Sequence, residues 1–260
     1  MRSLLAALTV ATTVLGTCAV NGAPLGAPKP TIVLVHGAFA ESTSWNGVIS
    51  RLEEDGYPVI AAANPLRSVR SDAASVAAVV RSVRGRVVLV GHSYGGPIIT
   101  EAAQGNVNVV ALVYVAGFLP LPGESSLSLS KEFPGSTLGD TLEQVTLPDG
   151  EEDLYILRAK FRAQFAADVP PAEAAIMAAT QRPVTLSALG EASTIATWQS
   201  LPTYVVYGSA DRNIPPALMR FMGERAHARK IVEIPGASHA VMVSHPTEVA
   251  RLIEQAASAN

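Results

Sequence analysis

The sequence contains little cysteine and little histidine. Among its 260 residues there are one cysteine, Cys18, and five histidines. A single cysteine cannot form a disulfide within the chain, and these residues are too few and too scattered to form an evident metal site. We therefore expect neither a disulfide framework nor a metal or organic cofactor.

Charged residues are also scarce, and neither sign dominates. They make up 16% of the chain, and the formal net charge is −3. This composition lacks the positive excess that favours binding to nucleic acid or to an anionic membrane surface. Hydrophobic residues make up 48% of the chain, which supplies a large core and argues against disorder. The length fits one domain, or one domain that carries an insertion.

The N-terminal segment has the pattern of an export signal. Arg2 supplies a positive charge, and residues 4–15 form an apolar stretch that is too short to span a bilayer. Small residues follow in Gly16-Thr17-Cys18-Ala19, so that a peptidase could cut after Ala19. These features predict a mature protein that is exported, either to the periplasm or into the medium, and that has no integral membrane span.

The boundaries that follow from this pattern are a signal peptide at residues 1–19 and a flexible lead-in, rich in Pro, Gly and Ala, at residues 20–30. Two other interpretations remain open. Cys18 could be acylated as the anchor of a lipoprotein, or the segment could form a buried N-terminal helix.

Residues 31–260 alternate between short apolar runs rich in β-branched residues and Ala-rich helical stretches. The runs are continuous, which is typical of strands that are buried on both faces of a parallel sheet covered by helices. We expect an α/β domain with a mostly parallel, doubly wound sheet, whose ligand site lies beyond the carboxyl ends of the strands. The predicted strands are 31–35, 57–61, 86–90, 109–115, 203–207 and 230–234. The predicted helices of this core are 44–55, 72–83 with Asp72 as its cap, 97–103, 215–226 and 247–257.

Residues 119–199 interrupt this alternation. They contain no strong strand pattern, but helical stretches lie near 154–167 and 172–180, with Pro, Gly and Ser around them. We expect a helical lid inserted over the strand ends; the alternative is a run of extra helices on one face. The acidic side chains of this segment are expected in solvent: Asp140, Asp149, Asp153 and Asp168.

The segment Gly91-His92-Ser93-Tyr94-Gly95 fits the pattern G-x-S-x-G. The pattern alone is weak, but here it directly follows a predicted strand and precedes a helical stretch, which is the setting of a nucleophile elbow. A serine on such a turn points away from the sheet, and glycines on either side leave room for close backbone contacts. Ser93 is therefore the candidate nucleophile; an incidental serine in a Gly-rich turn is the alternative.

A serine nucleophile needs a base, and three histidines follow Ser93 in the chain. His239 lies in the loop just after the last predicted strand, at the same edge of the sheet as the elbow. His227 lies near a helix end between arginines and is expected in solvent, and His245 precedes a proline near the start of the last helix. His239 is the candidate base.

The base in turn needs a carboxylate to fix its tautomer. Asp211 follows the predicted strand 203–207, and the order Ser93, Asp211, His239 is one of the known orders of this triad. Glu124 is the fallback acid.

An oxyanion needs at least two hydrogen-bond donors already in place. The amide of Tyr94, the residue after the nucleophile, is one candidate. The second is expected in the loop His36-Gly37-Ala38-Phe39, with the Ala38 amide first and the Phe39 amide second. The alternative for His36-Gly37 is a simple turn that ends the strand.

These motifs, together with Gly208-Ser209-Ala210-Asp211 and Gly236-Ala237-Ser238-His239, resemble the α/β-hydrolase superfamily over about residues 31–257. Within it, Asp211-Arg212-Asn213-Ile214-Pro215 and Ser238-His239 resemble the branch of plant methylesterases, hydroxynitrile lyases and pyrethroid hydrolases, and above all its bacterial carboxylesterases. The resemblance implies a Ser93–Asp211–His239 triad and an oxyanion hole of the Ala38 and Tyr94 amides.

The lyases of that branch carry a Thr and a Lys at the positions of Gly37 and Ala240. The difference favours hydrolysis of a small carboxylic ester through an acyl-enzyme over the alternatives on this fold, a lyase or a cofactor-free oxygenase; a binding protein with a vestigial site is a third possibility. The lid is expected to set substrate choice. Candidate pocket residues are Phe39, Phe118, Leu119 and Trp198, with Leu121 and Leu127 beside them.

Overall fold

The predicted strands of the core form one parallel sheet. The structure is a computed structural model that describes residues 28–259. The strands in this part of the chain are β1 (Thr31–Val35), β2 (Val59–Ala62), β3 (Val87–His92), β4 (Val109–Val115), β5 (Leu142–Thr146), β6 (Glu152–Ile156), β7 (Val184–Thr185), β8 (Thr203–Gly208) and β9 (Lys230–Ile234). Six of these described strands pair in the order β2-β1-β3-β4-β8-β9, and every neighbouring pair is parallel.

Helices cover this sheet. The α-helices in the described residues are α1 (Asn46–Glu54), α2 (Val69–Ser82), α3 (Gly95–Ala102), α4 (Ser126–Leu129), α5 (Arg158–Phe165), α6 (Pro171–Thr180), α7 (Leu186–Gly190), α8 (Pro216–Arg225), α9 (Val241–Ser244) and α10 (Pro246–Ser258). Short 3-10 helices lie at Ser42–Trp45, Leu138–Thr141 and Thr197–Gln199. Helix α1 packs on α10, α2 packs on α3, and α10 lies over β3, β4 and β8. The central strands β3 and β4 are buried almost throughout, as their continuous apolar sequence predicts.

The parallel arrangement brings the sequence motifs to one edge. The turn at His36 follows β1, Ser93 follows β3, Asp211 follows β8 and His239 follows β9. Because parallel strands end at the same edge of a sheet, the four segments meet beyond the carboxyl ends of the strands.

The insertion between β4 and β8 differs from the prediction of a purely helical lid. It contains α4 to α7, but also an antiparallel sheet in the order β5-β6-β7. The predicted helix at 154–167 is in part the strand β6, and only residues from Arg158 onward are helical. Strand β5 is largely exposed and β7 has two residues, so neither has the apolar run that marks the strands of the main sheet.

Asp72 does not cap α2 as predicted. The helix begins at Val69, and Ser68 is its N-cap, whose hydroxyl accepts a hydrogen bond from the Ser71 amide (3.3 Å). Asp72 is buried in the first turn, where its carboxylate accepts hydrogen bonds from the Arg67 amide (3.1 Å) and the Tyr94 hydroxyl (3.1 Å). Burial raises the pKa of Asp72, and these hydrogen bonds oppose that rise.

The predicted signal peptide and most of the predicted lead-in lie outside the described residues. In the part from residue 28 to residue 259, none of the helices combines the length and the apolar character that crossing a bilayer requires.

Candidate active site

Ser93 lies on a strained turn between β3 and α3. Its φ is 54°, a left-handed conformation that non-glycine residues adopt at a cost of about 1–3 kcal/mol. Two backbone hydrogen bonds hold the turn against the end of β4: the Ser93 amide donates to the Val115 carbonyl (3.2 Å), and the Phe118 amide donates to the Ser93 carbonyl (3.3 Å). This is the geometry of the predicted elbow.

The glycines beside Ser93 are required by close backbone contacts, as predicted. A Cβ on Gly91 would lie 2.5 Å from the Gly95 carbonyl oxygen, and a Cβ on Gly95 would lie 2.6 Å from the Val35 carbonyl oxygen. Contacts this short do not occur in folded proteins, so the elbow sits directly on the end of β1. The glycines thus allow the turn that carries Ser93 to pack against the turn at His36, which follows β1.

Asp211 and His239 form a buried pair. The His239 Nδ1–H donates to Asp211 Oδ2 over 2.6 Å, and both side chains are fully buried. The other carboxylate oxygen, Oδ1, accepts hydrogen bonds from the amides of Asn213 (2.7 Å) and Ile214 (2.9 Å). The carboxylate is therefore held on both sides, and it fixes the tautomer of His239 in which Nε2 carries a lone pair.

The structure does not join Ser93 to His239 by a hydrogen bond. His239 Nε2 is buried and has no hydrogen-bond partner among the described residues. The histidine ring nevertheless lies against the residue that precedes the serine, since the rings of His92 and His239 are 4.7 Å apart. Hydrogen bonds between nucleophile and base are often long in the absence of substrate.

His92 is a residue of the site that the sequence interpretation missed. It is fully buried, and its Nε2 is 3.1 Å from the His239 carbonyl oxygen, so Nε2–H donates to it. Burial lowers the pKa of His92 well below the usual range, and the neighbouring His239 lowers it further. The only signal in the sequence was a histidine at the end of an otherwise apolar strand.

A second buried histidine holds the loop after β1. The His36 Nδ1–H donates to the Gly37 carbonyl (3.0 Å), and His36 Nε2 accepts a hydrogen bond from the Asn64 amide (3.1 Å). The Asn64 side chain in turn donates to the His36 carbonyl (2.9 Å). Burial lowers the pKa of His36 to about 4, so the ring is neutral at pH 7. The loop is thus fastened to the segment after β2.

This loop presents the amides that the sequence proposed for an oxyanion. The Phe39 amide donates to the Arg182 carbonyl (2.9 Å) and is not free. No hydrogen bond from the amide of Ala38 or of Tyr94 is found within residues 28–259, and both residues line a cavity that also contains Ser93. Of the two amides that the sequence proposed in this loop, the Phe39 amide is therefore engaged, whereas no partner is found for the Ala38 amide in the described residues.

The cavity beside Ser93 has a volume of about 170 Å³ and is mainly apolar. Of the predicted pocket residues, Phe39 and Phe118 line it, and so does Leu127. The insertion supplies most of the other apolar walls: Leu138, Leu142, Leu154, Leu186 and Leu189.

Leu119 and Trp198 do not line this cavity, contrary to the prediction. The Trp198 indole N–H donates to the Pro120 carbonyl (2.9 Å), and the ring faces the guanidinium of Arg225. Leu119 is buried, and its carbonyl accepts a hydrogen bond from Arg225 (2.7 Å). Leu121 lines a separate surface depression together with Trp198. Leu119, Leu121 and Trp198 thus lie near the two ends of the insertion and not in the wall of the cavity.

The alternative acid and bases lie elsewhere. Glu124 pairs with Arg225 (2.7 Å). Burial raises the pKa of Glu124, but hydrogen bonds from Arg225 and Leu121 outweigh burial and lower it overall. His227 is exposed, as expected, and His245 lies 3.5 Å from the carboxylate of Asp168. Within the described residues, no hydrogen bond or ion pair joins any of these side chains to the Asp211–His239 pair.

One predicted surface residue of the insertion is buried. Asp153 on β6 forms an ion pair with Arg67 (2.6 Å), and its side chain is 8% exposed. Arg67 also donates to the Pro183 carbonyl (3.1 Å). No group of three or more His, Cys, Asp or Glu side chains is placed to hold a metal ion between residues 28 and 259.

The chain belongs to the alpha/beta hydrolase family, whose sequence profile matches residues 32–252. Over 250 residues it is 27% identical to the alpha/beta hydrolase nvfD of Aspergillus novofumigatus, covering 88% of this chain and 97% of that protein. It is 26% identical to the pyrethroid hydrolase of Sphingobium wenxiniae, covering 88% of each chain.

A solved structure with the same fold is that of polyneuridine aldehyde esterase. The TM-score is 0.76 at 20% sequence identity, and the alignment covers 87% of this chain and 98% of that chain. A methylesterase from Arabidopsis has a TM-score of 0.74 at 16% identity, covering 88% of this chain and 99% of that chain. The family and the fold expected from the motifs are thereby confirmed, and methylesterases and a pyrethroid hydrolase of the expected branch are among the similar proteins.

Proposed function

We propose that the protein is a carboxylic ester hydrolase in which Ser93 is the nucleophile. The observation that carries the proposal is the buried Asp211–His239 pair, which leaves His239 Nε2 without a hydrogen-bond partner in the described residues, next to a strained serine turn. The names of its relatives, which include hydrolases and esterases, support the same class.

In the proposed first step, the Ser93 oxygen attacks the ester carbonyl while its proton passes to His239 Nε2. The amides of Ala38 and Tyr94 donate to the oxygen that becomes negatively charged. When the tetrahedral intermediate collapses, the bond to the alcohol oxygen breaks, and this oxygen takes the proton from His239. The product is an ester of Ser93.

In the second step, water loses a proton to His239 and attacks the acyl-enzyme. Collapse of this intermediate releases the acid and returns the proton to Ser93. The Asp211 carboxylate stabilises the imidazolium in both steps. The residue after His239 is the buried Ala240, so no cation stands there to stabilise a cyanide leaving group, which disfavours the lyase alternative.

The test is hydrolysis of p-nitrophenyl esters from acetate to palmitate by the wild type, Ser93→Ala and Asp211→Asn. We expect Ser93→Ala to reduce kcat by about 10⁴-fold or more and Asp211→Asn by about 10³- to 10⁴-fold. The matched controls are Ser75→Ala on α2 and Asp149→Asn in the β5–β6 turn, which are exposed and should retain wild-type rates. Near-normal turnover in Ser93→Ala would contradict the mechanism.

We also propose that the protein is exported after cleavage near Ala19, on the strength of the N-terminal sequence pattern. Intact-mass measurement of protein recovered from the medium or periplasm should give a chain that begins at residue 20. A chain that keeps Met1 would contradict cleavage, and a lipid-modified Cys18 would identify the anchored alternative.

A further inference from the structure

The carboxylate of Asp211 is held by a peptide group that the insertion fixes in turn. This group lies between Arg212 and Asn213, and its N–H donates to Asp211 Oδ1 (2.7 Å). Its carbonyl, on the opposite side, accepts a hydrogen bond from Nε2 of Gln164 near the end of α5 (2.9 Å). A peptide group is planar, so a donor that fixes the carbonyl also fixes the direction of the N–H. The N–H that holds the carboxylate is therefore aimed from the insertion.

The loop of His239 is fixed by the last residue of the same helix. The peptide group between His239 and Ala240 donates its N–H to the Phe165 carbonyl (3.0 Å), while its own carbonyl accepts the hydrogen bond from His92 (3.1 Å). The Ser238 hydroxyl donates to the same Phe165 carbonyl (3.2 Å). The end of α5 therefore touches the loops of both members of the pair, one through a side chain and the other through a backbone carbonyl.

The amide of Gln164 is itself held in one orientation. The residue is 4% exposed; its second N–H donates to Asn213 Oδ1 (2.9 Å), and its Oε1 accepts from the Thr137 hydroxyl (2.8 Å). The Thr137 amide also donates to the Arg212 carbonyl (3.0 Å). A carbonyl oxygen can only accept, so the Gln164 atom that faces Arg212 must be the amide nitrogen. Burial of an amide is costly unless its polar atoms are bonded, and here the oxygen and both N–H groups are.

We propose that Gln164 is a positioning residue of the active site. It aims the peptide group 212–213 at the Asp211 carboxylate, and this keeps the carboxylate in line with His239 Nδ1. The inference rests on the proposed ester hydrolysis, because a change in rate is its consequence. It also gives the insertion a second role beside supplying the cavity walls, since the insertion then takes part in aligning the acid with the base.

Gln164→Met tests the proposal by rate. Methionine keeps the length of the side chain but removes both donors and the acceptor. Because a displacement of about 1 Å can cost about 10²-fold in rate, we expect kcat for p-nitrophenyl acetate to fall about 10- to 100-fold and KM to change less than about threefold. Gln164 is not among the described residues that line the cavity. Thr137→Val is a milder second variant; it removes only the hydroxyl that orients the Gln164 amide and should lower kcat about 2- to 5-fold.

The Nδ1 proton of His239 provides a readout that does not depend on turnover. It lies in a buried hydrogen bond of 2.6 Å to Asp211, so it should exchange slowly with water and give a sharp signal far downfield in the proton NMR spectrum. The spectrum of His239→Gln identifies the signal by its absence. In Gln164→Met the carboxylate is less well fixed, and we expect the signal to broaden or disappear.

The matched control is Gln181→Met, at another glutamine of the insertion. The Gln181 Oε1 accepts from the Ile156 amide (2.9 Å), and its Nε2 donates to the carbonyls of Ile156 (2.8 Å) and Ala178 (3.1 Å). Both methionine variants leave backbone groups without a partner, so both should lower the urea midpoint of unfolding. Only Gln164→Met should lower kcat and alter the Nδ1 signal, because the bonds of Gln181 stay within the insertion.

The outcomes separate this inference from the proposed function. The inference is overturned if Gln164→Met and Thr137→Val keep the wild-type kcat and Nδ1 signal, or if Gln181→Met lowers kcat and alters the signal to the same extent. If the wild type hydrolyses no ester, the proposed function fails. A signal that is lost in Gln164→Met and kept in Gln181→Met then still supports the positioning of the pair by Gln164.

Discussion

The hydroxyl of Tyr94 donates a hydrogen bond to the buried carboxylate of Asp72 over 3.1 Å. Tyr94, whose amide faces the cavity beside Ser93, is thereby tied through its side chain to the first turn of α2. The Asp72 carboxylate also accepts hydrogen bonds from the Arg67 amide and the Ser71 hydroxyl, so the turn after Ser93 is connected to the loop before that helix.

Tyr94→Phe should test this connection. It keeps the ring and the backbone amide but leaves the buried Asp72 with one donor fewer, so we expect a loss of about 1–3 kcal/mol in the free energy of unfolding. The rate should fall by less than about tenfold, because the amide is retained. Urea unfolding and kcat/KM for p-nitrophenyl acetate measure both effects.

The matched control is Tyr155→Phe on β6, a half-buried tyrosine for whose hydroxyl no hydrogen bond is found in the described residues. It should unfold like the wild type. Equal stability of Tyr94→Phe and Tyr155→Phe would show that the hydrogen bond to Asp72 contributes nothing.

The contact between Gly37 and the elbow leads to a second prediction. A Cβ on Gly37 would lie 2.5 Å from the His92 carbonyl oxygen and 2.7 Å from Ser93 Cβ, so Gly37→Ala must displace either the loop after β1 or the serine. We expect a loss of about 1–3 kcal/mol in stability from overpacking and a decrease of about 10²-fold or more in kcat.

Gly190→Ala at the end of α7 is the comparison, since no atom lies within 4 Å of the added methyl group. Its activity and unfolding midpoint should match those of the wild type or slightly exceed them. If Gly37→Ala behaved in the same way, the close packing of the loop on the elbow would be irrelevant to catalysis.

The buried His36 predicts a specific pH dependence of stability. Its pKa in the folded protein is lowered from 6.5 to about 4. Between these values the unfolded chain binds more protons than the folded one, so the free energy of unfolding decreases as the pH falls from about 6.5 to about 4. The contribution is complete above pH 6.5 and amounts to about 3 kcal/mol, at 1.36 kcal/mol per pKa unit.

His36→Gln removes this titration, so its unfolding free energy should depend less steeply on pH in that interval. Urea unfolding at several pH values from 4 to 7 measures the slope. The exposed His227→Gln is the control. A wild-type slope in His36→Gln would mean that other groups are responsible for the acid sensitivity.

The sequence predicted those elements whose signals are local. Strands β1 and β4 have the predicted bounds, because both are continuous apolar runs rich in β-branched residues that fit a buried parallel sheet. Strands β5 and β7 were missed because they are stabilised by antiparallel pairing with β6, and their own sequences are polar or very short. Pairing partners of this kind are not visible in a local pattern.

The same division holds for the site. Ser93, Asp211 and His239 could be chosen because each follows a predicted strand of a parallel sheet, which fixes the edge where they lie. The contacts that hold these residues in place could not be predicted from the sequence. The hydrogen bonds between His36 and Asn64 and between His92 and the His239 carbonyl form only after the chain has folded. Trp198 shows this limit of sequence-based prediction most clearly. The sequence reveals a large apolar side chain at position 198, but not that its indole N–H donates to the Pro120 carbonyl.

The hydrogen bond between His92 and the His239 carbonyl joins residues 147 positions apart, and it implies an order of events during synthesis. At about 5–20 residues per second, the ribosome needs roughly 7–30 s to progress from the elbow to the base. Throughout that interval the nascent chain lacks the residue proposed as its base. In the proposed mechanism the base is therefore the last part of the site to be synthesised, and the site is complete only once the loop behind β9 has packed against the end of β3.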